Sequence, residues 1–116
     1  MTKLIGLVAA AALVAIAGPA GAQGFNGAAK IARGDYAAAE RDLVAQRALY
    51  PDNVDLQLNL AAVYANTGRP AQARALYQQV ATQPDEDVVT QGGESISAHA
   101  LAIKGMARVP AVVAAR

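Results

Sequence analysis

His99 is the only histidine in the chain, which contains no cysteine. A protein metal site needs several histidine, cysteine or carboxylate ligands at defined spacing, and His99 has no such companions in the sequence. Residues 93–97, GESIS, approach the G-x-S-x-G pattern around a nucleophilic serine, but Ser97 stands where the second glycine is required. We also do not expect this segment to lie between a strand and a helix, as that motif requires. The sequence therefore predicts neither a metal site nor an acyl-transfer site.

Two further segments have residue types found in ligand sites. Residues 85–87, DED, offer oxygen atoms to a cation, but we favour a solvated loop or the charged start of a helix. The glycine pair at 92–93 lacks the Lys and Ser/Thr that complete a phosphate-binding loop. We therefore predict a protein that is not an enzyme and that binds no cofactor.

The first 22 residues have the layout of a secretory signal peptide. Lys3 precedes an apolar run from Leu4 to Ala17, and the small residues of Ala20-Gly21-Ala22 precede a predicted cut. This run is shorter than the roughly 20 residues that cross a bilayer as a helix. We therefore predict a bacterial protein that is periplasmic or secreted, with a mature chain that begins at Gln23 and has no stable membrane span. Without Lys3 the chain has nine basic and nine acidic residues, which argues against binding to nucleic acid.

Glycine, alanine and large side chains recur at a spacing of 34 residues. Residues 34–43, GDYAAAERDL, have a counterpart at 68–77, GRPAQARALY. The matching pairs are Gly34 and Gly68, Ala39 and Ala73, and Leu43 and Tyr77. A period of this length is typical of a repeated pair of helices.

The second copy has the side chains that a pair of helices requires. The large residues of its first helix, predicted to begin near Val54, share one face: Leu56, Leu60, Val63 and Tyr64. Those of its second helix form a matching stripe: Ala73, Leu76, Tyr77 and Val80. Asn53 can cap the first helix, Gly68 can end it in a left-handed conformation, and Pro70 suits the first turn of the next helix.

This pattern resembles the tetratricopeptide repeat, a helix–turn–helix unit. The family's landmarks fall on Leu60, Ala61, Tyr64, Gly68, Ala73, Tyr77 and Pro84, whereas Gln57 replaces a usual aromatic residue. In the first copy, Asn26 and Lys30 stand where apolar residues are expected, so its first helix should be short. The resemblance implies an all-α fold for residues 23–109. This fold is a short α-solenoid of about two repeats plus a C-terminal covering helix.

A third unit begins after the second copy. Residues 98–105, AHALAIKG, match residues 61–68, AAVYANTG. We predict a loop at 85–95 and a helix from Ile96 to Lys104, with Ser95 as its cap and Gly105 at its end. Pro110 stands where a returning helix should lie, so we expect a frayed tail at 110–116. Alternatively, residues 106–116 form a short, kinked final helix.

The resemblance also implies a binding surface. In this family the first helix of each pair lines a concave groove, in which peptides or partner segments bind. Carried over by position, the groove residues are Phe25, Ala28, Ile31, Leu58, Asn59, Ala62, Asn66, Ile96, His99 and Ile103. Asn59 and Asn66 are two turns apart on one face, so their amides could bind a peptide backbone. Alternatively, both are ordinary exposed amides, and Phe25 and Ile96 pack inward.

We therefore predict a non-catalytic interaction or assembly module of the cell envelope, which binds a protein or peptide partner in this groove. Two other modes remain open. The chain could dock on a larger envelope complex through apolar ends at Phe25 and Val112-Val113, or it could form a homo-oligomer. An enzyme would need chemistry around His99 that the sequence does not show.

Overall fold

The computed structural model describes residues 27–109, and this part of the chain forms five helices and one two-stranded sheet. The helices are α1 (Ala28–Ala32), α2 (Tyr36–Leu49), α3 (Val54–Asn66), α4 (Pro70–Thr82) and α5 (Ala98–Arg108). Strands β1 (Asp87–Val89) and β2 (Ser95–Ser97) lie between α4 and α5. The predicted signal at 1–22, Phe25 and the tail at 110–116 lie outside the described residues. The fold is mostly helical, and the prediction of a short all-α solenoid is confirmed.

The helix pair α3–α4 has the boundaries that its sequence predicts. The side chain of Asn53 accepts a hydrogen bond from the Leu56 amide at 3.0 Å, which satisfies a free donor at the start of α3. Gly68 has a φ of 76°. This is the left-handed conformation that commonly follows the end of a helix, and glycine adopts it without steric cost. Pro70 is the first residue of α4, where its missing N–H removes no helical hydrogen bond.

The first helix pair is shorter on its N-terminal side, because α1 has only five residues. Ile31 of α1 is fully buried, as are Ala39 and Leu43 of α2. The ammonium of Lys30 forms an ion pair with Asp42 of α2. This partner explains why a lysine is tolerated at a position where the repeat pattern favours an apolar residue.

The core lies where successive helices pack on one another. Helix α3 is central: it packs on α2 and α4 and also contacts α1 and α5. Ala61 of α3 and Ala73 of α4 are both fully buried, and their small side chains allow the two backbones to approach closely. The large residues of the predicted stripes are buried at Leu56, Leu60, Val63, Leu76, Tyr77 and Val80. Burial of a side chain of this size contributes roughly 1.5–3 kcal/mol.

The predicted loop at 85–95 is wrong in part, because it contains a β-hairpin. Strands β1 and β2 are antiparallel, and Val88 lies opposite Ile96. Val88 is buried and Ile96 packs partly against the core, so the hairpin covers the end of the helical stack with its apolar face. The turn closes through Thr90, whose amide donates to the carbonyl of Glu94 at 2.8 Å. The signal for this hairpin is the β-branched run of residues 88–90, followed by two glycines.

Helix α5 begins and ends later than its sequence predicts. Its cap is Ser97 rather than Ser95, and the hydroxyl of Ser97 accepts a hydrogen bond from the Ala100 amide at 3.1 Å. Ile96 belongs to β2 and not to the helix. Gly105 does not end the helix, which continues to Arg108. Residues 98–105 and 61–68 therefore both contribute to the core, but Gly68 follows the end of α3 whereas Gly105 lies inside α5.

Candidate functional site

Several residues predicted to line the groove are part of the core instead. Ile31 and Asn59 have no exposed surface, and Ala62 is 2% exposed. Ala28 and Leu58 are buried as well. In this conformation a partner cannot contact these side chains. The prediction that Asn59 presents an exposed amide is therefore wrong.

The central position of α3 explains this burial. Nine of its 13 residues are buried, because neighbouring helices cover most of its circumference. The resemblance to the family, in which the first helix of each pair lines the groove, placed Asn59 and Ala62 on a solvent-exposed face of α3. A small residue is equally suited to a close contact between helices, and only the packed structure distinguishes the two roles.

Asn66 lies at the C-terminal end of α3 and is partly exposed. Its side-chain amide donates to the carbonyl of Ala62, one turn earlier in the same helix, at 2.7 Å. Its Oδ1 atom is buried and has no hydrogen-bond partner. The side chain is therefore held against its own helix by one of its N–H groups, and its acceptor oxygen is unpaired.

His99 and Ile103 lie one turn apart on α5, toward its solvent side. The Nε2 atom of His99 is 2.6 Å from the carbonyl oxygen of Gln83. Since a carbonyl only accepts hydrogen bonds, Nε2 carries the hydrogen, and Nδ1 of the neutral ring is an acceptor. Ile103 is 60% exposed, whereas Ile96 is partly buried against the core. Of the predicted groove residues within the described part of the chain, Ile103 is exposed, whereas Asn66, His99 and Ile96 are partly exposed.

A buried amide lies near the start of α3. Gln57, which replaces the usual aromatic residue, is fully buried. Its Nε2 atom donates to the carbonyl of Pro51 at 3.0 Å and to Oε1 of Gln83 at 2.8 Å. These bonds connect the loop before α3 to the end of α4. Gln57 therefore replaces the packing of an aromatic ring with hydrogen bonds, and its polar side chain within an apolar stripe was the signal for this role.

An ion pair connects the turn between α3 and α4 to the first repeat. The guanidinium of Arg69 donates to Glu40 of α2, with Nη1 2.9 Å from Oε2, and it lies 4.7 Å from the centroid of the Tyr64 ring. The hydrogen bond from Arg69 lowers the pKa of Glu40. This contact crosses between repeats, and nothing in the spacing of the sequence pointed to it.

The two helix pairs and their buried landmarks agree with the comparison of the sequence with known families. The family model described as tetratricopeptide repeat matches residues 30–88. The chain belongs to the tetratricopeptide repeat family. No curated protein and no solved structure matches it. Tetratricopeptide repeats generally mediate protein–protein interactions and act as scaffolds without catalysis.

The hairpin of this tetratricopeptide repeat protein brings a serine, a histidine and an aspartate together. The Ser97 hydroxyl donates to Asp85 Oδ2 at 2.8 Å, and the His99 backbone amide donates to Asp85 Oδ1 at 3.0 Å. These hydrogen bonds, first that of His99 and then that of Ser97, lower the pKa of Asp85. The imidazole of His99 is hydrogen-bonded to the backbone carbonyl of Gln83 instead. The Ser97 hydroxyl and the His99 ring therefore do not form the hydrogen-bonded pair that nucleophilic catalysis requires. The cluster caps the start of α5.

The segment GESIS differs from its sequence interpretation in one respect. It ends in a strand that leads directly into a helix, which the sequence did not predict. However, Ser95 lies at the start of β2 and not at the turn between strand and helix. A nucleophilic serine of the G-x-S-x-G type lies at that turn, so the likeness to this motif does not extend to its geometry.

The carboxyl group of Asp55 has a raised pKa. Asp55 lies in the first turn of α3, and burial together with the nearby charge of Glu86 raises this pKa.

Within residues 27–109, no cluster of three or more histidine or carboxylate side chains is suited to hold a metal ion. In the same part of the chain, no helix has the length and apolar character needed to span a membrane.

Proposed function

We propose that this chain is an exported, non-catalytic module of a bacterial cell envelope, which binds a protein or peptide segment along the accessible surface of α3 and α5. The general role follows from the family, whose repeats mediate protein–protein interactions. The envelope location rests on the predicted signal peptide at 1–22. The groove location rests on the family's use of the first helix of each pair.

One observation carries the proposal most directly. His99 and Ile103 are adjacent on the solvent side of α5, and Ile103 leaves 60% of its side chain exposed. A binding groove combines apolar contacts with a few polar groups that satisfy the partner's backbone. Ile103 supplies the apolar contact and Nδ1 of His99 accepts a hydrogen bond. His99 is bonded to Gln83, which is bonded to Gln57 near the start of α3. Asn66 therefore contributes polar surface at the opposite end of α3.

The proposal can be tested by substitution of Asn66 and His99 together. A tagged Asn66→Ala/His99→Ala variant and the natural chain are each expressed in the producing cells and purified with their bound proteins. We expect the variant to retain at least tenfold less of a partner that binds the natural chain. The expectation follows because loss of a hydrogen bond to a buried partner group costs about 1–3 kcal/mol.

The matched control is Gln72→Ala/Gln78→Ala, which removes two exposed polar side chains from α4. Both variants must retain the helical circular dichroism of the natural chain. Retention of every partner by the Asn66→Ala/His99→Ala variant would contradict binding at this surface, while leaving the family's general role intact.

Export is tested separately by the intact mass of the protein recovered from the envelope fraction. We expect a chain that begins at Gln23, because the small residues of Ala20-Gly21-Ala22 follow the apolar run. A recovered chain that retains Met1 would overturn the predicted export, although it would not affect the test of the binding surface.

A second candidate function is association through an apolar patch at the C-terminal half of α2. Leu49 is 69% exposed at the end of the helix, and the neighbouring Tyr50 is 51% exposed. Exposed apolar residues of this kind occur in contacts between proteins. Mass measured by analytical ultracentrifugation at increasing concentration distinguishes the two candidates. A Leu49→Ser variant with reduced self-association would favour this mode.

A further inference from the structure

One face of α5 is exposed along the length of the helix. This face, which we call the outer face, consists of Ala100, Ile103, Lys104 and Ala107. Their spacing places them side by side over two turns, opposite the side that packs on α4. Ile103 is the large apolar residue of the outer face, and the alanines on either side allow another helix to approach closely.

Helix α5 has fewer neighbouring helices than α3 and α4, the two helices of the second repeat. Helix α3 lies between α2 and α4, and α4 lies between α3 and α5. Helix α5 packs mainly on α4, with smaller contacts to α3 and β2. Among the described residues no helix covers its other side, so the position that a following helix takes in a solenoid is open there.

The charges of α5 indicate what kind of helix fits this position. Lys104 is exposed on the outer face, Arg108 follows one turn later, and α5 contains no carboxylate. The exposed acidic residues of this part of the molecule lie before and on the hairpin, at Asp85, Glu86, Asp87 and Glu94. Asp85 caps the start of α5, away from Lys104. Pairing of two outer faces around Ile103 would bring Lys104 close to its counterpart in the second copy, which like charge disfavours. A helix that carries carboxylates beside its apolar residues is complementary in charge.

We propose that the outer face of α5 binds an amphipathic helix of a partner protein, whose apolar stripe covers Ile103 and whose carboxylates pair with Lys104. This inference rests on the protein-binding part of the proposed function, but it concerns a different surface from Asn66 and His99. Ile103 lies at the border of the two surfaces, so neither experiment changes it.

The test places a photoreactive phenylalanine analogue at position 107 of the tagged chain in the producing cells. After irradiation, the cross-linked peptides are sequenced by mass spectrometry. We expect a segment of another protein with apolar residues at three- and four-residue spacing and more Asp and Glu than Lys and Arg. Position 100 provides a second site on the same face if substitution at 107 impairs folding, which circular dichroism would reveal.

The charge requirement is then measured with the cross-linked segment as a synthetic peptide. We expect Lys104→Glu to weaken binding about tenfold in a fluorescence anisotropy titration, and high salt to weaken binding to the natural chain. Arg41→Glu is the matched control, because it reverses an exposed charge on α2. We expect this variant to bind the peptide with the affinity of the natural chain.

Four results would overturn the proposal: a cross-link to residues 110–116, a cross-link to a second copy, a partner segment without excess carboxylates, or no cross-link from either site. Equal affinity of Lys104→Glu and the natural chain would also overturn it. If cross-linking fails while the Asn66→Ala/His99→Ala variant loses its partner, the outer face is excluded and the proposed function stands. If both experiments fail, neither surface binds a partner.

Discussion

Gly105 of α5 lies directly against the ring of Tyr77 in α4. A Cβ atom at position 105 would lie 2.4 Å from Cζ of Tyr77 and 2.6 Å from its two Cε atoms. This close contact explains why a glycine is present inside a helix, where it costs up to about 1 kcal/mol relative to alanine. The ring is buried, and its burial raises the pKa of Tyr77 to about 12. Helix α5 is thus held against the second repeat by a contact between a backbone and an aromatic ring.

Gly105→Ala is expected to destabilise the protein, although alanine is the better helix former. The methyl group would displace the Tyr77 ring or move α5 away from α4, and overpacking of this kind costs about 1–3 kcal/mol. The free energy of unfolding from urea denaturation measures the effect. Ala107→Gly is the control for helix propensity: position 107 is exposed, and this variant should lose no more than about 1 kcal/mol. A Gly105→Ala variant as stable as the natural chain would contradict the contact.

Ala73→Leu is expected to impair folding much more than Ala71→Leu. Ala73 is fully buried where α3 and α4 meet, whereas Ala71 is exposed in the first turn of α4. A larger side chain at a close contact between helices typically costs about 1–3 kcal/mol. Thermal melts followed by circular dichroism compare the two variants. Equal melting temperatures would argue against the close packing of this helix pair.

Arg74→Met should loosen the C-terminal end of α5. The guanidinium of Arg74 donates from Nη2 to the carbonyls of Met106 and Val109, at 3.1 and 3.0 Å. Hydrogen bonds from a charged group contribute about 1.5–3 kcal/mol, and we expect the lower end because Arg74 is partly exposed. Hydrogen exchange at the Val109 amide, which donates to the carbonyl of Gly105, should become faster. Arg41→Met, at an exposed site on α2, should leave this exchange rate unchanged.

Asp55→Asn is expected to raise the melting temperature by a few degrees near pH 7 and to have a smaller effect near pH 4. Burial and then the charge of Glu86 raise the pKa of Asp55 above its ordinary value of 3.8. The stability that its carboxyl group contributes is therefore full below the unfolded pKa and falls as pH rises through the folded pKa. Asp52→Asn, in the exposed loop before α3, is the control. A lower melting temperature at pH 7 would show that the negative charge is favourable at the start of α3.

The repeat and its helix ends were predictable because local residues determine them. Asn53 caps α3 through its own side chain, and Gly68 ends α3 in a conformation that favours glycine. The burial of Ala73 and Tyr77 followed from helical periodicity together with the 34-residue repeat. These features depend on residues that are close together in the sequence, so the short segment that contains them is enough to predict them.

The accessible surface and the position of α5 were determined by tertiary packing. Asn59 and Ala62 are buried because helices close in space, not in sequence, surround α3. The same packing makes Gly105 a contact for Tyr77 instead of a helix end, although Gly68 ends its helix at the matching position. A glycine fits both a left-handed turn and a close contact, and an alanine fits both a groove and a core. The sequence determined which residues are small or apolar, whereas the neighbouring helices decided which of them a partner can reach.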